Sequence, residues 1–467
     1  MTISHRRRYY SPLFIRKFVK TYLILLTMKK IFILITAVFS SLVGYSQSYD
    51  ERIAEAMNAG DWFALDSIYN SAPKDSIWSF LEVYSRCLIG NRLNRPDVSI
   101  PAFTELFNTQ SEQLDLGNML NSAMMFSMDL SRIGDNTKAA EVLSSVLNAT
   151  KQHLDPQTIN SFQNYINKYN ALSSYSPYII KFTDDIGVVP FHTIPVGKPE
   201  NKSVLMQLEN SSINGFSAPI IFDTGAATNV ISDSLARKFE LLPLDVETKV
   251  SGADIHSGTI AIAKELKIGN ITVYDVPFSV MNITSNNDEA DQYMDCLNII
   301  LGSDLMLQLK DLTIDFIDNQ ITVPEEATVK RDTPSNMCFS SQMNLLAKGV
   351  IHNNTMLMCI DSGDASYGSL GSKFFDDNKE FITSHSELDS VRAAGIGGIT
   401  IAECYKVPNL KLTLGGQTIV VPQINVLLQD SPHGYDCNLG LKTLMLYSKV
   451  HFNLVDFVLT TEYSQRN

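Results

Sequence analysis

The feature that most constrains the fold is an internal repeat. An apolar run ends in Asp-Thr-Gly at Ile220-Ile-Phe-Asp-Thr-Gly-Ala-Ala-Thr228, and a second ends in Asp-Ser-Gly at Leu357-Met-Cys-Ile-Asp-Ser-Gly-Asp-Ala-Ser366. Downstream, Asn298-Ile-Ile-Leu-Gly302 is answered by Asn438-Leu-Gly440. The separation from Asp223 to Gly302 is 79 residues, and from Asp361 to Gly440 it is again 79. Each copy continues into an apolar stretch, Leu312–Ile317 and Val450–Val455. A serine that can begin a short helix lies eleven residues after each Asp, at Ser234 and Ser372. A lone Asp-Thr/Ser-Gly is a weak signal. Two copies with the same flanks and spacing mean one structural unit built twice.

The surroundings of the repeat read as strands. Gly187–Ile194, Ser203–Leu208, Pro219–Phe222, Ile271–Val280 and Leu312–Val323 are short β-rich runs separated by Gly, Asn and Pro. The polar stretch Pro324–Ser335 holds two prolines and reads as a linker, so the units are 178–324 and 336–463. Residues 47–173 differ in period. Ile53, Ala54 and Met57, then Trp62, Leu65, Ile68 and Tyr69, then Ala139, Val142, Leu143, Val146 and Leu147 recur at helical spacing. Gly60-Asp61 and Gly134-Asp135 each end one helix and open the next. The region is a tetratricopeptide-like array or an irregular bundle, and the irregular period leaves both open. Leu172–Pro177 is small and polar, a second linker.

The first 46 residues carry eight Lys or Arg and no Asp or Glu. Met28, Lys29 and Lys30 precede an apolar run from Ile31 to Gly44, and Gly44 and Ser46 suit a small-residue cleavage site. This is the pattern of a secretory signal peptide, with the true start at Met1 or at Met28. The expectation is export to a periplasmic or extracellular space. The chain's net charge is −13, and losing eight positive charges makes the mature chain more acidic still. Such a surface argues against nucleic-acid binding.

The repeated pattern resembles the aspartic-peptidase superfamily, in particular a single-chain, tandem retropepsin-like protease, over residues 178–463. The fold class implied is α+β and multidomain: an all-β bilobal protease fold preceded by a helical domain. The resemblance makes Asp223 and Asp361 the catalytic pair. Gly225 and Gly363 permit the tight turn after each Asp. Thr224 and Ser362 would exchange hydrogen bonds between the lobes, and Gly302 and Gly440 would let a strand cross close behind each loop. A retroviral protease supplies one Asp per chain and must dimerise. This chain supplies both and is expected to act as a monomer on a peptide or protein substrate, with no metal and no cofactor.

The chemistry asks for two carboxyls. Held close together they cannot both ionise, so they share a proton. The ionised one takes a proton from water and the protonated one serves the carbonyl oxygen of the peptide bond. Glycine-rich segments at Gly252 and Gly258, and at Gly395, Gly397 and Gly398, are candidate tips of flap hairpins or else ordinary turns. No tyrosine sits at these tips, and Tyr405 lies further along, which favours the retropepsin side over the pepsin side.

One departure stands out. Ala226 follows the first motif's glycine, but Asp364 follows the second's. A third carboxylate there raises the pair's affinity for protons, or points to solvent, or marks a lobe that has lost catalysis. The alternatives to an endopeptidase are therefore an inactive peptide-binding pseudoprotease and a scaffold whose working part is the helical domain. Other chemistry finds little support. Cys437 has His433 and His451 nearby, but a buried small residue with Cys296 as its repeat partner is the simpler reading. Cys338 and Cys359 could flank a hairpin and form a disulfide in an exported protein. Asp315 and Asp318 fit a hairpin turn rather than a metal site.

Overall fold

The computed structural model describes residues 47–175, 178–197, 202–251, 255–283, 295–330, 333–395, 398–429 and 435–464. The proposed signal peptide lies outside them. No helix among the described residues is long and apolar enough to cross a membrane. The chain forms two compact units. One runs to Ser173 except for Arg92–Arg95, and the other begins at Ser174.

The first unit is helical. Its α-helices are Tyr49–Ala59, Trp62–Ser71, Ser79–Arg92, Pro96–Glu105, Leu116–Arg132, Asn136–Thr150 and Pro156–Leu172. The two Gly-Asp punctuation marks act as expected. Gly60 and Gly134 take positive φ at helix ends. Asp61 then accepts a hydrogen bond from the Ala64 amide at 2.9 Å, and Asp135 accepts one from Lys138 at 3.2 Å, which caps the following helices. The periodic apolar residues Ile53, Leu65, Ala139, Leu143 and Leu147 are all buried.

The second unit is β-rich and contains the repeat. Its two copies correspond at an offset of 138 residues, the separation of Thr224 and Ser362. At that offset Val230–Ser232 corresponds to Gly368–Leu370, Asp311–Asp315 to Lys449–Asn453, and Gln320–Pro324 to Val458–Glu462. Short helices follow at Asp233–Lys238 and Ser372–Asp377, near the two predicted serines. Ser232, two residues before Ser234, is the residue that caps the first.

The spacing of 79 has a direct meaning: it is the register of a parallel strand pair. Ile221 pairs with Ile300 and Phe222 with Leu301. Ile360 pairs with Leu439 and Asp361 with Gly440. The strand leading to each Asp is buried on both faces. Ile220, Ile221 and Phe222 are buried, as are Met358, Cys359 and Ile360. Burying a large apolar side chain contributes roughly 1.5–3 kcal/mol, so each Asp is anchored by a strand that cannot easily shift.

Between the conserved parts, each copy has a long antiparallel hairpin. Leu242–Ser251 pairs with Ile255–Ile268, and Leu388–Gly395 with Gly398–Leu414. Here the offset is 146 rather than 138, as from Leu242 to Leu388. The second copy inserts a helix, Lys379–His385, before its hairpin. The first copy has the longer connection after its hairpin strands, 282–298 against 428–436. Insertion and shortening cancel, which is why the spacing of 79 survives.

Asp311–Asp315 lies antiparallel to Lys449–Asn453, with Gln320–Pro324 and Val458–Glu462 on the outer sides. Thr313 faces His451, its own counterpart in the other copy. A pseudo-twofold axis therefore passes through this pair. The turn after Asp315 is the predicted one: Asp315 Oδ1 accepts from the amides of Ile317 at 2.9 Å and Asp318 at 3.1 Å.

The cysteine expectations need correction. Cys338 pairs with Leu346, and Leu346 pairs with Cys359. A whole strand separates the two cysteines. Strands lie about 4.8 Å apart, so two spacings exceed the reach of a disulfide. Cys338 and Cys359 are both buried, and neither forms a disulfide in this structure. The counterpart of Cys437 at the 138-residue offset is Ile299, not Cys296.

Candidate active site

Asp223 directly follows the strand Ile220–Phe222 and Asp361 ends the strand Asn354–Asp361, and each carboxyl is cradled by its own loop. Asp223 Oδ1 accepts from the amides of Gly225 at 2.9 Å and Ala226 at 3.1 Å. Asp361 Oδ1 accepts from Gly363 at 2.9 Å and Asp364 at 3.0 Å. Each carboxyl lies against the other copy's loop, Asp361 on Gly225 and Asp223 on Gly363.

Thr224 and Ser362 exchange hydrogen bonds between the copies. Thr224 Oγ1 donates to the Ile360 carbonyl at 2.6 Å and accepts from the Ser362 amide at 3.0 Å. Ser362 Oγ donates to the Phe222 carbonyl at 2.7 Å and accepts from the Thr224 amide at 3.0 Å. Both side chains are fully buried. Each hydroxyl thus uses its one donor and one acceptor site across the pseudo-twofold, and four backbone groups are satisfied away from water.

Glycine is required beside each Asp, for a reason other than the expected one. Neither Gly225 nor Gly363 takes a positive φ. A Cβ at Gly225 would overlap the carboxyl carbon of Asp361, and one at Gly363 would overlap Asp223. The bare backbone lets the two carboxyls meet. At Gly302 and Gly440 another backbone segment approaches closely. A Cβ at Gly302 would lie 2.6 Å from the Thr228 carbonyl oxygen, and one at Gly440 would overlap that of Ser366. The crossing strands are then tied on. The Ser303 amide donates to the Ala226 carbonyl at 2.8 Å, and the Leu441 amide to that of Asp364 at 2.8 Å.

The electrostatics are unequal. Burial pushes the Asp223 carboxyl above the usual range, while the amides of Gly225 and Ala226 pull the other way. Asp361 is held well above that range, first by burial and then by the charges of Asp223 and Asp364. Two buried carboxyls this close oppose each other's ionisation, so the arrangement suits the sharing of one proton.

The flap candidates divide. The hairpins exist, and their last pairs are Ser251 with Ile255 and Gly395 with Gly398. Gly395 and Gly398 therefore close the second hairpin, while Gly252 and Gly397 lie outside the described residues. Gly258 is not a tip residue. It pairs with Thr248 inside the strand, where a Cβ would overlap the Val280 carbonyl oxygen. Tyr405 stacks on Phe375, centroids 5.6 Å apart. His433 lies outside the described residues. His451 sits on the pseudo-twofold, with Nε2 2.7 Å from Asp311 Oδ1. Among the described residues no group of three or more His, Cys, Asp or Glu side chains could hold a metal ion.

Three asparagines at the site were not anticipated. Asn229 is buried, accepts from the Gly302 amide at 3.0 Å and donates to the Pro277 carbonyl at 3.2 Å. Asn344 reaches from the second copy to the Gly225 carbonyl at 2.8 Å. Asn438 donates to Asp361 Oδ2 and to Asp364 Oδ2, both at 3.0 Å. Only Asn438 carried a signal, as part of the quoted Asn438-Leu-Gly440 motif.

Residues 210–305 match the aspartyl protease family. The match contains Asp223, Thr224, Gly225 and Gly302, the whole first copy of the motif. It supports a protease-type function and covers the first repeat only. A search of curated proteins returned no match.

Proposed function

We propose that the β-rich unit is a single-chain, two-lobed, retropepsin-like aspartic endopeptidase. The carrying observation is the reciprocal Thr224–Ser362 bonding, which brings Asp223 and Asp361 into contact within one chain. In this reading Asp223 is the base that takes a proton from a water between the carboxyls, and Asp361 protonates the substrate carbonyl oxygen. The two hairpins are the lids that close over a peptide. Asp364 is engaged by Ser366 and Asn438, not by Asp223, so the feature that motivated an inactive pseudoprotease leaves the pair in place. The substrate is a peptide or protein, the active form a monomer, and the setting periplasmic or extracellular after removal of the leader.

The test is an unbiased peptide-library digest across pH. Cleavage lost on Asp223→Asn and on Asp361→Asn supports the reading. No cleavage at any pH, or cleavage that survives both substitutions, contradicts it.

The helical unit is read as a folded domain that recruits a protein partner or substrate, not as a propeptide. Its capped helices and own buried core support this. Residues 48–173 alone should melt cooperatively. A chain beginning near residue 178 should keep cleavage of short peptides. Activation on removal of the helical unit would overturn this reading.

A further inference from the structure

At the 138-residue offset, Ala226 corresponds to Asp364 and Ile300 to Asn438. In the first copy the pair is apolar. Ile300 is buried in a cluster with Ile221, Val230 and Leu297, and Ala226 packs against it. In the second copy both positions are polar, and they touch each other. The Asn438 amide nitrogen has two hydrogens and uses both: one on Asp361 Oδ2, one on Asp364 Oδ2, each at 3.0 Å. Asp364 is itself fixed, since its Oδ1 accepts from the Ser366 amide at 2.9 Å and hydroxyl at 2.7 Å. Asn438 Oδ1 is buried with no hydrogen-bond partner among the described residues. A reversed amide would set that oxygen against two carboxyls, so the observed orientation is the one the chemistry allows.

A buried amide with an orphaned oxygen costs stability. An apolar residue would fill the same place, as Ile300 does in the first copy. Building the costly version on one side alone calls for a function.

We propose that Asp364, fixed by Ser366 and tied to Asp361 through the Asn438 amide, is a positioning residue that breaks the symmetry of the carboxyl pair and biases the shared proton toward Asp361, leaving Asp223 as the base, with Asn438 holding the two carboxyls in register. The proposal rests on the peptidase reading and deepens it. Asn438 fixes the outer oxygen of Asp361. Behind it, the Asp364 carboxylate places a second negative charge one amide away from Asp361 Oδ2, while its own backbone amide donates to Asp361 Oδ1. The titratable groups facing Asp361 are Asp223, Asp364, Cys359 and Tyr435. The thiol and phenol are themselves pushed up by burial and stay neutral. Asp364 is therefore the group whose charge separates the two members of the pair. The two parts of the device act in opposite directions: the Asp364 charge favours the proton on Asp361, and the Asn438 donor opposes it.

The test is an infrared titration of the carboxyl C=O band on the intact protein, run beside the pH profile of kcat/KM. Asp364→Asn keeps an acceptor for Ser366 and removes the charge. It should lower the pair's upper apparent pKa by about one unit and move the alkaline limb of the profile with it. Asn438→Leu should move both the other way. If the leucine variant fails to fold, Asn438→Ser takes its place with the same expected direction. A purely structural role would change thermal stability and leave the titration unmoved. Superimposable titrations for Asp364→Asn and wild type would overturn the proposal, as would shifts of the same sign in the two variants. The infrared arm needs no turnover. A protein that cleaves nothing defeats the peptidase reading while the titration still decides the roles of Asn438 and Asp364.

Discussion

The two copies of the repeat share a skeleton and differ in chemistry. Strand register, crossing glycines and the hydroxyls of Thr224 and Ser362 correspond position by position. The residues behind the carboxyls do not: alanine and isoleucine in the first copy, Asp364 and Asn438 in the second. The parts that bring the carboxyls together must be symmetric, because each copy completes the other's hydrogen bonds across the axis. The parts that set the protonation of each carboxyl are free to diverge, and in a single chain each copy can change alone. A homodimer of identical chains has no such freedom, since one substitution appears on both sides.

The largest effect expected is at the carboxyls. Asp223→Asn and Asp361→Asn should each reduce kcat/KM by about a thousandfold or more, because the pair works as a unit. Their effects on stability should be mild and pH-dependent. A carboxyl raised in the folded state above its unfolded value of about 3.9 binds its proton more tightly when folded. Stability then falls as pH rises through the window between those values. Asp361→Asn, at a carboxyl that burial and its charged neighbours hold well above the usual range, should hold or raise Tm at neutral pH and bring no gain below about pH 4. Thermal melts at both pH values check this. A clear loss of Tm at neutral pH would break the proposed inequality of the pair.

Next come the hydroxyls. Thr224→Val leaves the Ile360 carbonyl and the Ser362 amide unpaired in a fully buried place. Ser362→Ala does the same to the Phe222 carbonyl and the Thr224 amide. Each buried unsatisfied group costs about 1–3 kcal/mol, so each variant should lose roughly 2–6 kcal/mol in urea unfolding. The pseudo-twofold predicts near-equal losses. A large loss in one and none in the other would mean the copies are not equivalent at their axis.

The smallest effect concerns the shared sheet, where the copies differ again. Burial opposes ionisation of Asp311, but His451 and the Thr328 amide outweigh it and hold its carboxyl below the usual range. Lys449 does the same for Asp315, against the same burial penalty. Stability from a depressed carboxylate is complete above its unfolded value and is lost as pH falls through its folded value. Asp311→Asn should therefore lower stability at neutral pH by on the order of 1–2 kcal/mol. The difference from wild type should vanish as pH falls below about 3.9 toward the folded value. Acid-to-neutral melts of the two proteins measure it.

The skeleton was legible in the sequence because it rests on patterns that one residue type satisfies. Only glycine allows the close approaches at Gly225, Gly302, Gly363 and Gly440, and a strand buried on both faces must be continuously apolar, as Ile220–Phe222 is. The helix ends at Gly60 and Gly134 were legible for the same reason. What escaped depends on residues distant in sequence. Asn438 meets Asp364 across 74 positions, and nothing local in either marks the contact. The likeness of Asn298-Ile-Ile-Leu-Gly302 to Asn438-Leu-Gly440 sets Asn298 beside Asn438, but the equal spacing of 79 and the strand register both make Ile300 the counterpart of Asn438, with Ile300 opposite Ile221 and Asn438 opposite Cys359. Gly258 was placed at a hairpin tip because glycine marks turns and close packing alike, and sequence does not separate the two.

The central claim is that one chain supplies a complete carboxyl pair. The most direct measurement is calorimetric titration with a peptide analogue carrying a tetrahedral hydroxyl in place of the scissile carbonyl, a transition-state mimic. It should be run at a protein concentration shown to be monomeric by sedimentation. The account predicts one inhibitor bound per chain, with binding lost in both Asp223→Asn and Asp361→Asn. One inhibitor per two chains, or undiminished binding in either variant, would contradict it.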